Sequence, residues 1–474
     1  MIVRQAKAPK NACFAFLGAL LQSRFSMSFA ICQKGLIFIK SILNSVWTET
    51  TTREIRPALG GDITADVLVI GGGICGILIA YWLKKAGVHC IVVEAKTIGG
   101  GITQNTTAKI SAQHGLIYAD LIKRFGAVKA RKYYEANAQA IQRYQALDRQ
   151  FPCDFEYKTA YVYSINNRRK LEREADAYRI LEINTRIQED LPLPFKTKGA
   201  IAMEGQAQFH PLKLLYALAN ELEIYENTLV RKIEKQAAIT SSGKITASHI
   251  ILATHYPLIN IPGLYFIKLY QHRSYVVALE DSTMLDGMLL DEQEDGHSFR
   301  TYGNLLFIGG GDHKTGKKGG GYAEIHALIK QAYPHVAIKY RWATQDCMSL
   351  DKVPYIGRHR NGSQNLYVAT GFNKWGMTSA MVAAELLTDM IVSGRSEWED
   401  VFTPQRSMLS RQLMVNIGAA AKGLLSVGGP RCAHMGCKLH WNAIEQSWDC
   451  SCHGSRFEKD GYVADNPAKR RIRL

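Results

Sequence analysis

Cysteine is scarce along most of this chain of 474 residues: six of its ten cysteines are spread over the first 431 positions. Long apolar runs are missing too. The run at residues 12–21 (ACFAFLGALL) falls well short of the ~20 residues that a membrane-spanning helix needs. Nucleic-acid signatures are absent, with no zinc-finger spacing, no helix-turn-helix signal and no basic stripe interleaved with aromatics. The other four cysteines crowd, with three of the fourteen histidines, into residues 432–457, CAHMGCKLHWNAIEQSWDCSCHGSRF. Sulfur and imidazole at that density point to a metal centre.

The length allows two or three domains, and 47% hydrophobic with 21% charged residues is the balance of a soluble protein. The net charge of +16 is unevenly spread. Residues 1–60 hold eight Lys/Arg against two Asp/Glu, and four more basic residues lie between Lys469 and Arg473. Solvated basic ends account for this; an acidic substrate, an acidic partner or an anionic membrane surface stays open. Residues 1–46 hold two short apolar runs with Arg24 and Lys34 between them, a second methionine at Met27, and no small-x-small cleavage site. They are expected to be a poorly ordered extension or an unused upstream start, with a weak membrane-surface anchor as the alternative.

The main body begins at Trp47. Residues 66–94 read DVLVIGGGICGILIAYWLKKAGVHCIVVE. A β-branched run fit for a buried parallel strand leads into Gly71-x-Gly73-x-x-Gly76, and a helix follows to about Ala86. Gly87 ends it, and a second strand closes on Glu94. A GxGxxG alone is weak, but here the whole strand–turn–helix–strand context is present. Gly71 permits the tight turn, Gly73 lets a pyrophosphate approach the backbone, and Gly76 lets helix and strand pack closely. The helix N-terminus offers free N–H groups to phosphates, and Glu94 can accept from a ribose diol. This predicts a dinucleotide site.

No second glycine fingerprint follows. In residues 305–316 (LLFIGGGDHKTG) Lys314 stands where a third glycine would be needed. The near match to a P-loop fails at Lys318, which replaces the Ser/Thr that holds magnesium. That stretch is therefore expected to be a strand-to-helix turn. No close cysteine pair sits beside the fingerprint, so electrons are expected to come directly from an organic substrate.

Residues 45–393 resemble the D-amino-acid oxidase/glycine oxidase family of flavoproteins. The fingerprint with Glu94 carries this, together with GGGITQNTTAKISAQHG (99–115), the strand pair and strand within 227–257, and VPYIGRHRNGSQNLYVATGFNKWGMT (353–378). The resemblance implies FAD as cofactor, with Thr106, Thr107, Ala108 and Lys109 along it, Val230 at its adenine end and Gly371 to Thr378 near the isoalloxazine. The fold class it implies is α/β: a Rossmann-like FAD-binding domain with an inserted antiparallel-sheet substrate domain at roughly 150–200 and 260–340. The period-2 stretches 156–164 and 273–279 fit strands of that sheet. Arg273, Tyr275, Arg300, His313 and Lys374 are the candidates for substrate contact. Lys374 replaces the family's arginine and can hold a carboxylate only as a point charge, which weakens the case for an amino-acid substrate.

After a polar, proline-containing linker (396–406) and a helix expected at 408–425, Gly428-Gly429-Pro430 breaks the chain. The order is then Cys432-x-His434, fifteen residues, Cys450-x-x-His453. Each loop offers one cysteine and one histidine, unlike the paired spacing of a zinc site. CAHMGC and CSCHGS resemble the two loops of the Rieske [2Fe–2S] family. On that match Cys432 and Cys450 bind one iron and His434 and His453 the other, with a disulfide between Cys437 and Cys452. Neutral imidazoles in place of two thiolates raise the cluster potential. Ser451 replaces the usual proline, and Phe457 stands where high-potential members carry tyrosine, so a potential in the middle or lower part of the family range is expected. Only about 45 residues follow Pro430, so this small β module should lean on the flavin domain. A disulfide fits a reducing cytoplasm only if burial protects it.

The division expected is a 1–46 extension, a 47–398 FAD-dependent oxidoreductase, a 399–429 linker and helix, and a 430–474 Rieske domain. The combination implies a dehydrogenase that oxidises a small amine or amino acid. Electrons pass from FAD to the cluster and then to an external one-electron acceptor such as a ferredoxin, quinone or cytochrome. The alternatives are an oxygen-using oxidase with a structural cluster, or a redox sensor or carrier. The expected location is the cytoplasm, with peripheral membrane contact left open.

Overall fold

The computed structural model describes residues 44–474. The expected extension lies outside the described residues except for its last three. The body is already closed at that point. Ser45, Val46 and Trp47 are buried, and the Trp47 indole donates to the Thr106 carbonyl at 2.8 Å.

Strand β1 (Ile63–Ile70) is the centre of the first sheet because its last four residues, Val67 to Ile70, are apolar and buried on both faces. It pairs in parallel with β2 (Cys90–Val93) on one side and with Lys244–Leu252 on the other. Helix α1 (Ile74–Lys85) leaves β1 through the glycine turn and packs against the long helix α2 (Gly376–Val392). Two glycines in that turn are obligatory. A Cβ on Gly76 would stand 1.9 Å from the Gly71 carbonyl oxygen, and one on Gly71 2.4 Å from that of Ala253.

The second sheet has nine strands. Its core is β3 (Leu269–Glu280), flanked by β4 (Leu305–Lys314) and β5 (Ile338–Ser349), all antiparallel. The sheet continues through Ser298–Tyr302, Met288–Asp291, Glu156–Tyr163 and Ala200–Gln208. It is antiparallel except where Met288–Asp291 runs parallel to Glu156–Tyr163. The glycine cluster read as a strand-to-helix turn is instead strand interior, since β4 runs straight through Gly309 to Gly311. Crowding explains the glycines: a Cβ on Gly309 would meet Ser298 Oγ at 2.6 Å, and one on Gly311 the Gly321 carbonyl oxygen at 2.2 Å.

The segment expected as a polar linker is fastened down. Trp398, Val401 and Phe402 are buried in the main core. Arg406 holds Asp351 through two hydrogen bonds of 2.8 Å, and its guanidinium lies 4.0 Å from the centre of the Tyr355 ring. Burial opposes ionisation of Asp351, but Arg406 outweighs it and keeps the carboxyl below its ordinary range. A depressed folded value means that this pair stabilises at neutral pH and that the gain is lost as pH falls through it. Arg406→Met leaves this buried carboxylate with only Arg124, 3.7 Å away, and is expected to cost about 3 kcal/mol at pH 7. The deficit should shrink in acid, as read by denaturant unfolding at several pH values.

Helix α3 (Arg411–Leu425), capped by Ser410 Oγ on the Leu413 N–H, leads to the third sheet. This has four short antiparallel strands, Leu439–Asn442, Ser447–Cys450, Arg456–Glu458 and Val463–Asp465. Among the described residues no helix is long and apolar enough to cross a membrane.

Candidate functional site: a cavity and a cysteine–histidine centre on one sheet

A cavity of about 230 Å³ lies between the first two sheets. Thr106, Thr107 and Lys109 line one side, and Trp375 to Met377, at the N-terminus of α2, line another. The roof is the sheet β3–β4–β5, which presents Ser274, Asp312, Thr344, Asp346 and Met348. Lys374 reaches in from a tight turn in which Asn373 and Lys374 both adopt left-handed backbone (φ 50° and 70°). The Asn373 side chain secures the turn by accepting from the Ser349 N–H at 2.8 Å.

The cavity is rich in charge. Lys374 Nζ is 2.7 Å from Asp312 Oδ1, so it is not a free cation. Asp346 faces it with no ion-pair partner among the described residues, and burial pushes its carboxyl up to about 6 against the pull of Lys374. Burial and nearby Arg300 push the Lys109 ammonium down to about 7, with Asp312 opposing. His114 is stacked on Trp375 (4.6 Å between ring centres), bonded to Tyr133 Oη at 2.7 Å and held neutral by burial.

Of the substrate candidates, only Lys374 turns its side chain to the cavity; Tyr275 borders it along β3 but sends its hydroxyl to Glu445 at 2.9 Å, on the cluster side, and the other three do not line it. Arg273 is turned to the opposite face of β3, where its Nε donates to Glu445 at 3.0 Å. Arg300 is fully buried, donates to the Ala108 carbonyl at 3.0 Å and lies over the Trp47 and Phe307 rings. His313 is stacked beside Tyr275, on the cluster side. Residues not singled out from sequence, Asp312, Asp346 and His114, supply much of the cavity's polarity. Period-2 alternation along β5 would have grouped Thr344, Asp346 and Met348, but nothing in the sequence fixes which face meets the cavity.

The glycine fingerprint opens at the C-terminal edge of the first sheet. Gly73 is the N-cap of α1, and Glu94 accepts from the Gly72 N–H at 2.8 Å. Thr228 donates its N–H to the Glu94 carbonyl at 2.9 Å, which brings buried Val230 to the same edge. Gly371, at φ +72°, turns the chain from Leu366–Thr370 toward the cavity. These features fit a dinucleotide with its phosphates at the α1 N-terminus and its ring system at the cavity.

The second centre is built by two loops, 432–437 and 450–454. In each, the Cys N–H or carbonyl closes a tight turn: Cys432 N–H to Cys437 O at 2.8 Å, and Gly454 N–H to Cys450 O at 2.9 Å. The His434 and His453 rings stand perpendicular, 4.9 Å apart. His453 is 2% exposed, yet neither ring nitrogen has a hydrogen-bond partner among the described residues; His434 Nδ1 is likewise unpartnered. Buried neutral imidazole nitrogens left free beside buried thiols fit metal ligation. The sulfurs of Cys437, Cys450 and Cys452 lie within 4.8 Å of one another. The expected disulfide is not formed, and Cys437 and Cys452 are free thiols packed around Cys450. Ser455, fully buried, accepts from the Ala468 N–H at 3.1 Å through its hydroxyl and from the Cys450 N–H at 2.9 Å through its carbonyl, while Phe457 fills the core beneath the loops.

The two centres share β3–β4–β5. Alternate side chains on the face away from the cavity hold the cysteine–histidine module. Gln271 donates to the His453 carbonyl at 3.1 Å, and Gln345 donates to that of Gly454 at 3.0 Å. Arg273 and Tyr275 both bind Glu445, and Asn260 bonds His434 Nε2 at 2.8 Å.

Comparison with known proteins agrees with this layout. The profile of the FAD dependent oxidoreductase family matches residues 66–390, and that of the Rieske [2Fe-2S] domain matches residues 395–474. The chain is 35% identical to YhfW of Bacillus subtilis (strain 168), named as a Rieske 2Fe-2S iron-sulfur protein, over 91% of this chain and 97% of that one. It is 25% identical to glycine oxidase of Bacillus licheniformis, over 72% of this chain and 97% of that one. Glycine oxidase from Geobacillus kaustophilus has the same fold, with a TM-score of 0.62 at 17% identity over 73% of this chain and all of that one.

Proposed function

Since the chain belongs to the FAD dependent oxidoreductase family and carries a C-terminal Rieske [2Fe-2S] domain, we propose that it is a dehydrogenase for a small amine or amino acid that delivers electrons to an external one-electron acceptor. One observation carries this. A single sheet, β3–β4–β5, has the cavity on one face and the cluster-binding loops on the other. When bound, FAD supplies two-electron chemistry at the substrate carbon and the [2Fe–2S] cluster supplies one-electron transfer.

The chain's own residues bind, orient and manage protons. Lys109 and Asp346 face the cavity with pKa values of about 7 and about 6, so both change protonation near neutrality. An amine must lose its proton before the carbon beside it can give up hydride, and neutral Lys109 Nζ is the base suited to take it. Asp312, tied to Lys374, fixes that ammonium at the rim, where it can meet a substrate anion only as a point charge. The sheet and Trp375 cover two sides of the cavity. Cys432, His434, Cys450 and His453 hold the cluster in this reading. Asn260 and Gln271 orient His434 and the second loop toward the flavin domain. The acceptor reaches the cluster through the open groove beside His434, lined also by Ile261, Pro262, Met435 and Pro467.

Anaerobic mixing of the holoprotein with a panel of amines and amino acids tests the proposal. A substrate should bleach the flavin and then raise a Rieske-type EPR signal in the same sample. Bleaching with no such signal, followed by rapid reoxidation by oxygen, would identify an oxidase with a structural cluster instead.

A further inference from the structure

Helix α3 is inverted. A surface helix normally turns its apolar stripe inward and its polar face to water. Here the inward contacts are polar or small. Asn416 is 4% exposed and donates its amide to the Ile267 carbonyl at 3.0 Å. Gly423 is pressed onto the cluster loops so closely that a Cβ would lie 2.2 Å from Cys452 Sγ. The outward face carries Met414, Val415, Ile417, Leu424 and Leu425, and Val427 continues it. Met414, Leu425 and Val427 are 68%, 81% and 82% exposed. Clustered on one helix, these are not the scattered apolar residues that every surface shows.

The charge around this face selects its occupant. Between Asp400 and Glu445 the chain has no Asp or Glu at all, while Arg406, Arg411, Lys422, Arg431 and Lys438 fall within that span. Arg406 is consumed by Asp351, but Arg411, Lys422 and Arg431 are exposed. A second copy packed by a two-fold axis would set the bases of this acid-free segment against one another. An anionic lipid surface satisfies both properties, since the apolar stripe enters the acyl boundary and the bases meet the headgroups. At 15 residues, about 22 Å long, α3 fits lying flat and is too short to span.

We propose that the apolar face of α3 with its flanking bases is a docking surface for an anionic phospholipid bilayer, which holds the cluster module at the membrane interface. This does not rest on the redox function, because lipid binding needs neither substrate nor turnover. The test is co-sedimentation of the full-length holoprotein with vesicles of phosphatidylcholine alone or mixed with phosphatidylglycerol. Binding to the mixed vesicles, weakening as salt rises, is expected. Met414→Ser with Leu425→Ser and Val427→Ser should weaken it about tenfold or more, and so should Arg411→Glu with Lys422→Glu. Unchanged flavin and cluster absorbance would show that each variant is folded. Absence of binding overturns the proposal, and so does equal binding by the wild type and the triple-serine protein, which would place the contact elsewhere in the chain. A dimer in sedimentation velocity that the triple-serine variant dissolves, without vesicle binding, would assign the face to a second copy.

Discussion

Gly316→Ala is expected to leave the flavin bound and reducible by substrate while cutting reduction of the cluster sharply. Gly316 follows β4 at φ +75°, and a Cβ there would stand 2.4 Å from the Ser451 nitrogen and 2.6 Å from the Cys450 carbonyl carbon. These are backbone atoms of the second cluster loop, one of them belonging to the cysteine read as a ligand, so no side-chain rotation relieves the clash. A left-handed non-glycine residue costs about 1–2 kcal/mol and overpacking about 1–3 kcal/mol. Together they amount to about 2–5 kcal/mol against the docked arrangement, a shift of roughly 30-fold or more. Gly303→Ala is the control. It lies at φ +54° just before the same strand with nothing within 4 Å of its Cβ, so it isolates the conformational cost. Photoreduction of the flavin followed by EPR should show slow or partial cluster reduction in Gly316→Ala and wild-type behaviour in Gly303→Ala. Equal rates in the two variants would mean that electrons do not cross at this contact.

Local features were legible in the sequence, and features that depend on the pairing of distant segments were not. The strand–glycine turn–helix–strand unit of residues 66–94 is observed as Ile63–Ile70, Ile74–Lys85 and Cys90–Val93 because each boundary is set by adjacent residues. The two cysteine–histidine loops were legible for the same reason. Arg273 shows the limit. Its strand was predicted, but both faces of that strand are buried, one by the cavity and one by the cluster module. With no polar face to water, alternation cannot say which side a residue takes, and a one-residue error of parity exchanges a substrate contact for a domain contact. Gly309 to Gly311 failed differently. Glycines in a row suggest a turn, yet here they make room for Ser298 and Gly321 across the sheet. The segment 396–406 reads as a linker by composition, and only the buried Asp351 far along the chain reveals why Arg406 is held in place.

The largest stability effect is expected at Arg456, and its size should depend on pH. This guanidinium is 8% exposed and holds Glu445, Asp449 and Asp465 at 2.9, 3.1 and 2.9 Å. Arg273 reaches Glu445 and Asp465 from the flavin domain, so five charges from two domains share one buried site. Burial opposes ionisation of Glu445 and Asp465, but the two arginines outweigh it and hold both carboxyls below the ordinary range. Depressed folded values contribute stability at neutral pH that is lost as pH falls through them. Arg456→Met leaves three carboxylates facing Arg273 alone, a loss of about 3–5 kcal/mol. A core of some 45 residues supplies little more than that, so the module should unfold locally at pH 7 while the flavin domain stays folded. In the variant, burial and mutual repulsion raise the Glu445 and Asp465 carboxyls above their unfolded values, so its folded module takes up protons. Its stability therefore grows as pH falls, whereas that of the wild type declines. Thermal melts followed by visible circular dichroism of the cluster should converge on acidification. Arg273→Met should be milder, because Arg456 still neutralises the site, and the double variant should fall short of the sum. If Arg456→Met melts like the wild type at pH 7, or weakens further in acid, the network does not hold the module in place.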